Sequence, residues 1–156
     1  MPERIKLATD PGTTGATVLC LMGVDYAVHN WKGEGDFVEI AEAMKEMAEV
    51  NEAEITWYVE HPPKTTGMKR PESTGFVLGE NFGFIKGAIM ASGIKMVLIR
   101  PQEWQAKVTG IKGKPYKERK DMCWEEAKRL FPSPHKVTKK NADAWLLLDY
   151  AITYKT

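Results

Sequence analysis

At 156 residues, with 43% hydrophobic and 28% charged side chains, the chain has the size and composition of one globular domain spanning 1–156. Its two cysteines, Cys20 and Cys123, exclude a disulfide framework and a paired-cysteine zinc site, so a reducing cytoplasmic setting is expected. No signal-like leader is seen, and no apolar run approaches the roughly 20 residues of a membrane span.

The net charge of +1 hides a division along the chain. Residues 1–60 hold 4 Lys/Arg against 12 Asp/Glu, whereas residues 95–140 hold 13 against 5. A basic segment of that length points to a polyanion-binding face or to a solvated, lysine-rich helix.

Residues 4–10, 15–22 and 25–31 read as three consecutive strands, joined by turns at 11–14 and 23–24. Residues 36–50 set Phe37, Ile40, Ala41, Met44, Met47 and Ala48 at helical spacing, with Asp36 as the expected N-cap. Residues 54–60, EITWYVE, form a fourth strand. The segment 61–74 holds three prolines and a glycine and reads as a loop. A helix follows over 75–92, with Phe76, Phe82, Phe84, Ile85, Ala88 and Ile89 as its apolar residues. Its small residues Gly79, Gly83, Gly87, Ala88 and Ala91 permit close approach of a second copy across a two-fold axis, or of the chain's own sheet.

Residues 95–100 form a fifth strand, Pro101 opens a short helix carrying Trp104, and the basic loop GIKGKPYK follows. The helix over 117–131 presents Met122, Ala127, Leu130 and Phe131 to the core, and a last helix runs from Asn141 to Tyr154. This order describes an α/β fold: a five-stranded mixed sheet flanked by helices.

Three acids stand where carboxylates are costly. Asp10 ends the first strand before the glycine turn PGTTG, where it needs a metal ion, a phosphate-bound metal or a buried base as a counterweight. Glu60 ends the fourth strand, and if the two strands are parallel neighbours both acids leave the sheet at one edge. Asp143 lies in the first turn of the apolar helix NADAWLLLDYA. Singly, each has a plainer role: a turn cap, a strand-end charge, an acid favoured by a helix dipole. Together they would repel one another strongly, and two hard divalent cations relieve that repulsion. Carboxylates without His or Cys neighbours favour Mg²⁺ or Mn²⁺ over zinc. Two such ions about 4 Å apart are suited to phosphodiester hydrolysis.

The segments LATDPGTTGATV, WYVEHPP and KKNADAWLLLDYA, with IRPQEWQAKVTG and EEAKRLFP between the last two, occur in an order that resembles the RuvC family of Holliday-junction resolvases. The likeness is to its compact phage-type members, within the RNase H-like superfamily, and it covers nearly the whole chain. It implies an RNase H-like nuclease domain, a homodimer, and Mg²⁺-dependent nicking of a four-way DNA junction, with Mn²⁺ as substitute and two ions per site. It implies that Asp10, Glu60 and Asp143 bind the metals, Asp10 bridging both. It also implies a cytosolic protein of a bacterium or of a phage in its host. One position departs from the pattern. Three residues before the last aspartate the family commonly has an acid or a histidine, and here stands Lys140. A protonated lysine is no metal ligand, so Asn141 would contribute its carbonyl oxygen, or Lys140 would stand beside the scissile phosphate.

Lys64, Lys69 and Arg70 after Glu60 form one candidate DNA-binding group, and Lys107, Lys112, Lys114, Lys117, Arg119 and Lys120 a second. Phe76 and Met68 are the apolar candidates for stacking at an opened base step. His61, beside Glu60, is the one histidine with an expected place near a bound phosphate. Trp104, Trp124, Cys20 and Cys123 read as packing residues. Three rival functions stay open: a non-catalytic branched-DNA-binding module, a nuclease acting on flaps, forks or RNA/DNA hybrids, and an actin-like or sugar-kinase-type nucleotide-binding domain. The last requires a second phosphate turn that 156 residues do not supply.

Overall fold

The structure, a computed structural model, describes residues 2–11, 15–62 and 72–155, with backbone only at 72–74. Its strands are β1 (Arg4–Asp10), β2 (Gly15–Leu21), β3 (Asp25–Trp31), β4 (Glu54–Glu60) and β5 (Lys95–Ile99). The helices are α1 (Glu34–Val50), α2 (Glu72–Ala91), α3 (Pro101–Gln105), α4 (Tyr116–Leu130) and α5 (Ala142–Tyr154). The strands form one mixed sheet in the order β3-β2-β1-β4-β5. β1 and β2 are antiparallel, as are β2 and β3, while β4 runs parallel to both β1 and β5.

Alternation along the strands feeds two cores. Ile5, Leu7 and Trp57 face α1 and α2, where they meet Phe37, Ile85 and Ile89. Ala8, Val18 and Tyr58 face the other way, against Trp145, Leu147 and Trp104. α5 is apolar nearly all round because it is buried between the sheet and α4. Near the end of β1, Trp57 Nε1–H donates to Thr9 Oγ1 at 2.8 Å, and the Thr9 and Thr17 hydroxyls bond at 2.8 Å. These buried polar groups are satisfied, and they tie the two strands that deliver the first two acids to each other and to β2.

Three local expectations are corrected. α1 begins at Glu34 with Gly33 as its N-cap, and Asp36 sits in the first turn, where its Oδ2 accepts from Lys32 N–H at 2.9 Å. α2 begins at Glu72, so residues 72–74 belong to the helix although no apolar spacing marks them. Phe76 is 72% exposed, well outside the core of α2. On α4 it is Cys123, Ala127 and the following Phe131 that are buried, while Met122 and Leu130 are only partly covered. Cys20 and Cys123 are buried free thiols, as their surroundings in the sequence suggest.

Candidate active site

Asp10 and Glu60 are even-numbered positions on strands paired in parallel, with Thr9 opposite Val59. Both therefore leave the sheet at the same edge and on the same face, the one covered by α5. β4 stays paired one residue past Glu60, because His61 N–H donates to Ile99 O at 2.8 Å. Gly15 allows β2 to start directly beside this edge. A Cβ there would strike the Trp31 ring and stand 2.8 Å from the Asp10 carbonyl oxygen. Asp143, in the first turn of α5, supplies the third carboxylate.

The three acids feel one another. Burial, then the Asp143 charge, pushes the Asp10 carboxyl up to about 7 against the pull of Lys120. Burial followed by the Asp10 and Asp143 charges holds Glu60 well above the usual carboxylate range, opposed by a hydrogen bond from Trp104 and by Lys120. Two neighbouring groups partly answer this negative charge. Lys120 Nζ meets Asp143 Oδ2 at 2.6 Å, and Trp104 Nε1–H donates to Glu60 Oε2 at 2.6 Å. Burial works most strongly against the Lys120 charge, but Asp143, Asp10 and Tyr116 together outweigh it and hold the ammonium above its ordinary range. Cys123, beside the same cluster, is pushed up to about 12 by burial and by Asp143, so its thiol is inert.

Among the described residues no three His, Cys, Asp or Glu side chains close into a metal cage. The donor set nevertheless fits a hard cation. It consists of carboxylate oxygens, two of the acids resist ionisation without further positive charge, and Asp143 Oδ1 is buried with no hydrogen-bond partner.

No family model matches the sequence, and no curated protein sequence matches it. Solved structures do. RuvC of Thermus thermophilus, in complex with a Holliday-junction substrate, superposes with a TM-score of 0.63 at 13% identity, covering 97% of this chain and 94% of that one. A second Thermus thermophilus RuvC structure gives 0.61 at 13% identity over 97% and 95%. The fold is that of RuvC. The yeast mitochondrial Holliday-junction resolvase Ydc2 gives 0.47 at 11% identity over 96% and 81%.

Within this RuvC-like fold the other candidate residues fall into distinct places. Lys120 lies on the inward face of α4, paired with Asp143, and so belongs to the acid cluster, where the sequence reading set it on a DNA-facing surface. Asn141 is fully buried and otherwise engaged. Its Oδ1 accepts from Thr138 N–H at 2.7 Å, and its Nδ2 donates to Asn30 Oδ1 at 3.1 Å and to Lys136 O at 2.9 Å. The oxygen expected to help hold a metal is thus taken up within the loop before α5, and the amide nitrogen ties that loop to β3. His61 Nδ1 is 2.7 Å from Pro62 O, and its ring packs on Phe82.

Lys112, Lys114, Lys117 and Lys140 are exposed, Lys114 pairing with Glu118 at 3.6 Å. Lys107 is exposed and stands over the Tyr154 ring, and Arg119 lies near Tyr116 with a buried, unpartnered Nε. Lys139 pairs with Asp121, which joins the loop before α5 to the start of α4 beside the acids. Lys64, Met68, Lys69, Arg70 and the turn residues 12–14 lie outside the described residues.

Trp104 is the site residue that sequence reasoning missed, and Lys120 is one it set among the DNA-facing cations and not beside the acids. Each left a signal: a tryptophan inside a five-residue helix has an N–H that needs a partner, and Lys120 keeps step with the buried Cys123 and Ala127 along α4.

Proposed function

We propose that this chain is a metal-dependent endonuclease acting on branched DNA, with the four-way junction as its principal substrate. The observation that carries this reading is the convergence of Asp10, Glu60 and Asp143 at one end of the sheet, on the fold of RuvC. Asp10, Glu60 and Asp143 would hold two Mg²⁺ ions, with Mn²⁺ as a substitute. When bound, such ions activate water and stabilise the leaving oxygen of a phosphodiester. The protein's own residues orient these ligands: Trp104 holds one oxygen of Glu60, and Lys120 holds one oxygen of Asp143.

The exposed Lys112, Lys114, Lys117 and Lys140 would supply sequence-independent attraction for the DNA backbone, and we assign Lys64, Lys69 and Arg70 the same role from the sequence. Phe76, exposed on α2, is available to stack on an opened base step. Two sites on one surface require a dimer. The α2 face supports one: Gly79, Gly83 and Gly87 are exposed with nothing within 4 Å of an added Cβ, and Val77 and Met90 are exposed on the same helix. We read residues 1–156 as a single such nuclease domain.

A second reading, a branched-DNA-binding module without catalysis, draws on the Lys120–Asp143 pair, which already places a cation in the cluster. Labelled four-way, three-way and linear DNAs incubated with Mg²⁺ or Mn²⁺ separate the two. Nicking confined to branched substrates supports the nuclease. Tight binding without any nicking under either metal supports the module.

A further inference from the structure

A cavity of about 680 Å³ opens on the α5 face of the sheet, at the end of the strands opposite the acids. Its lining has an ordered core. In the register of the sheet Thr56 on β4 stands between Lys6 on β1 and Lys95 on β5, so one rung across three strands reads Lys–Thr–Lys. Strands lie about 4.8 Å apart, which separates the two lysine Cα atoms by about 10 Å and lets both ammonium groups reach a single phosphate beside the threonine hydroxyl.

Lys6 occupies an inward position whose neighbours on this face, Ala8 and Cys20, are apolar and buried. An apolar side chain there would pack better. Among the described residues neither Lys6 nor Lys95 has an ion-pair partner, so both charges are free to meet an anion. Arg4 and Lys155 bring the cations lining the cavity to four, against the single carboxylate of Glu54. Their existing pairs, Arg4 with Glu54 and Lys155 with Glu103, are exposed contacts at 3.3 Å each. Such exposed pairs are weak and exchange readily for a phosphate. Lys155 also offsets the negative end of the α5 dipole, which points this way. The lining also has apolar members, among them Tyr58, Met22 and Ile152.

We infer that this cavity binds an organic phosphate of mononucleotide size, its phosphate on the Lys6–Thr56–Lys95 rung and its body against Tyr58 and Ile152. The volume lies within the range of small-ligand sites. Lys6 precedes Asp10 by four residues on the same strand, about 13 Å, so this site is separate from the acid cluster and does not rest on the nuclease reading.

Isothermal titration calorimetry in EDTA, with dAMP, dTMP and inorganic phosphate as probes, tests it. The wild type is expected to bind at least one nucleotide saturably below about 1 mM, with inorganic phosphate at least tenfold weaker. Lys6→Met is expected to weaken the nucleotide at least tenfold. Lys95→Gln, at an exposed position that does not threaten folding, is expected to weaken it several-fold, and Asp10→Asn to leave it unchanged. No saturable nucleotide binding by the wild type overturns the inference. So does nucleotide affinity undiminished in both lysine variants, inorganic phosphate binding as tightly as the nucleotides, or loss of binding in Asp10→Asn.

Discussion

Replacing Asp10 with asparagine is expected to stabilise the metal-free protein while abolishing its response to metal. Burial and the Asp143 charge raise the Asp10 carboxyl from 3.8 to about 7 in the folded chain. One unit is worth about 1.4 kcal/mol, so an ionised Asp10 costs the metal-free fold about 4 kcal/mol. The sign follows from proton linkage. Between pH 3.8 and about 7 the folded chain keeps a proton that the unfolded chain has lost, so stability falls as pH rises through that window. Above it the whole penalty is present. Asparagine keeps the shape and carries no charge, which removes both the desolvation and the repulsion.

In EDTA at pH 8 the variant should therefore unfold about 10 °C above the wild type, at 2–4 °C per kcal/mol for a chain of about this length. At pH 5 the advantage should shrink to less than half. With Mg²⁺ at pH 8 the wild type should recover stability and the variant should not. Differential scanning calorimetry in the two buffers reads all three. A variant no more stable than the wild type at pH 8, or an advantage independent of pH, would refute the reasoning.

Lys120→Met leaves Asp143 without its cation. Because the pair is partly buried, urea unfolding in EDTA should show a loss of about 2 kcal/mol, reduced when Mg²⁺ is added, and an unchanged midpoint would show that the pair contributes nothing. Trp104→Phe frees the Glu60 oxygen held at 2.6 Å, and Mn²⁺ affinity measured by electron paramagnetic resonance should fall about 10- to 100-fold. Affinity within twofold of the wild type would remove Trp104 from the site. Gly15→Ala drives a methyl group into Trp31, which is itself packed on Phe37, and should cost about 1–3 kcal/mol in urea unfolding. A cost below about 0.5 kcal/mol would mean that the Trp31 ring yields.

The element order was legible because each strand and helix carries its own hydrophobic period, and Asp10 and Glu60 were legible because each closes an apolar strand. What stayed hidden depended on register and on side-chain direction. The rung that aligns Lys6, Thr56 and Lys95 exists only once β1, β4 and β5 are paired. Lys120 reads as one more cation in a basic stretch until α4 is docked on α5 with that face inward. Trp104 reads as packing until α3 folds back beneath the end of β4. Asn141 looks like a spare ligand beside Asp143, yet its side chain is taken up by the loop before α5 and by β3. Phe76 follows aromatic company in the sequence but turns to solvent, because the sheet lies under Ile85 and Ile89 further along α2.

The central claim is that three carboxylates at one sheet end form a metal-dependent nuclease centre for branched DNA. The most direct measurement compares binding and nicking of one labelled four-way junction by the wild type, Asp10→Asn, Glu60→Gln and Asp143→Asn, with Mg²⁺ and with EDTA. Nicking by the wild type in Mg²⁺ alone, lost in all three variants while junction binding persists, is the predicted result. Nicking that survives any one of these substitutions, or that proceeds in EDTA, would contradict the account.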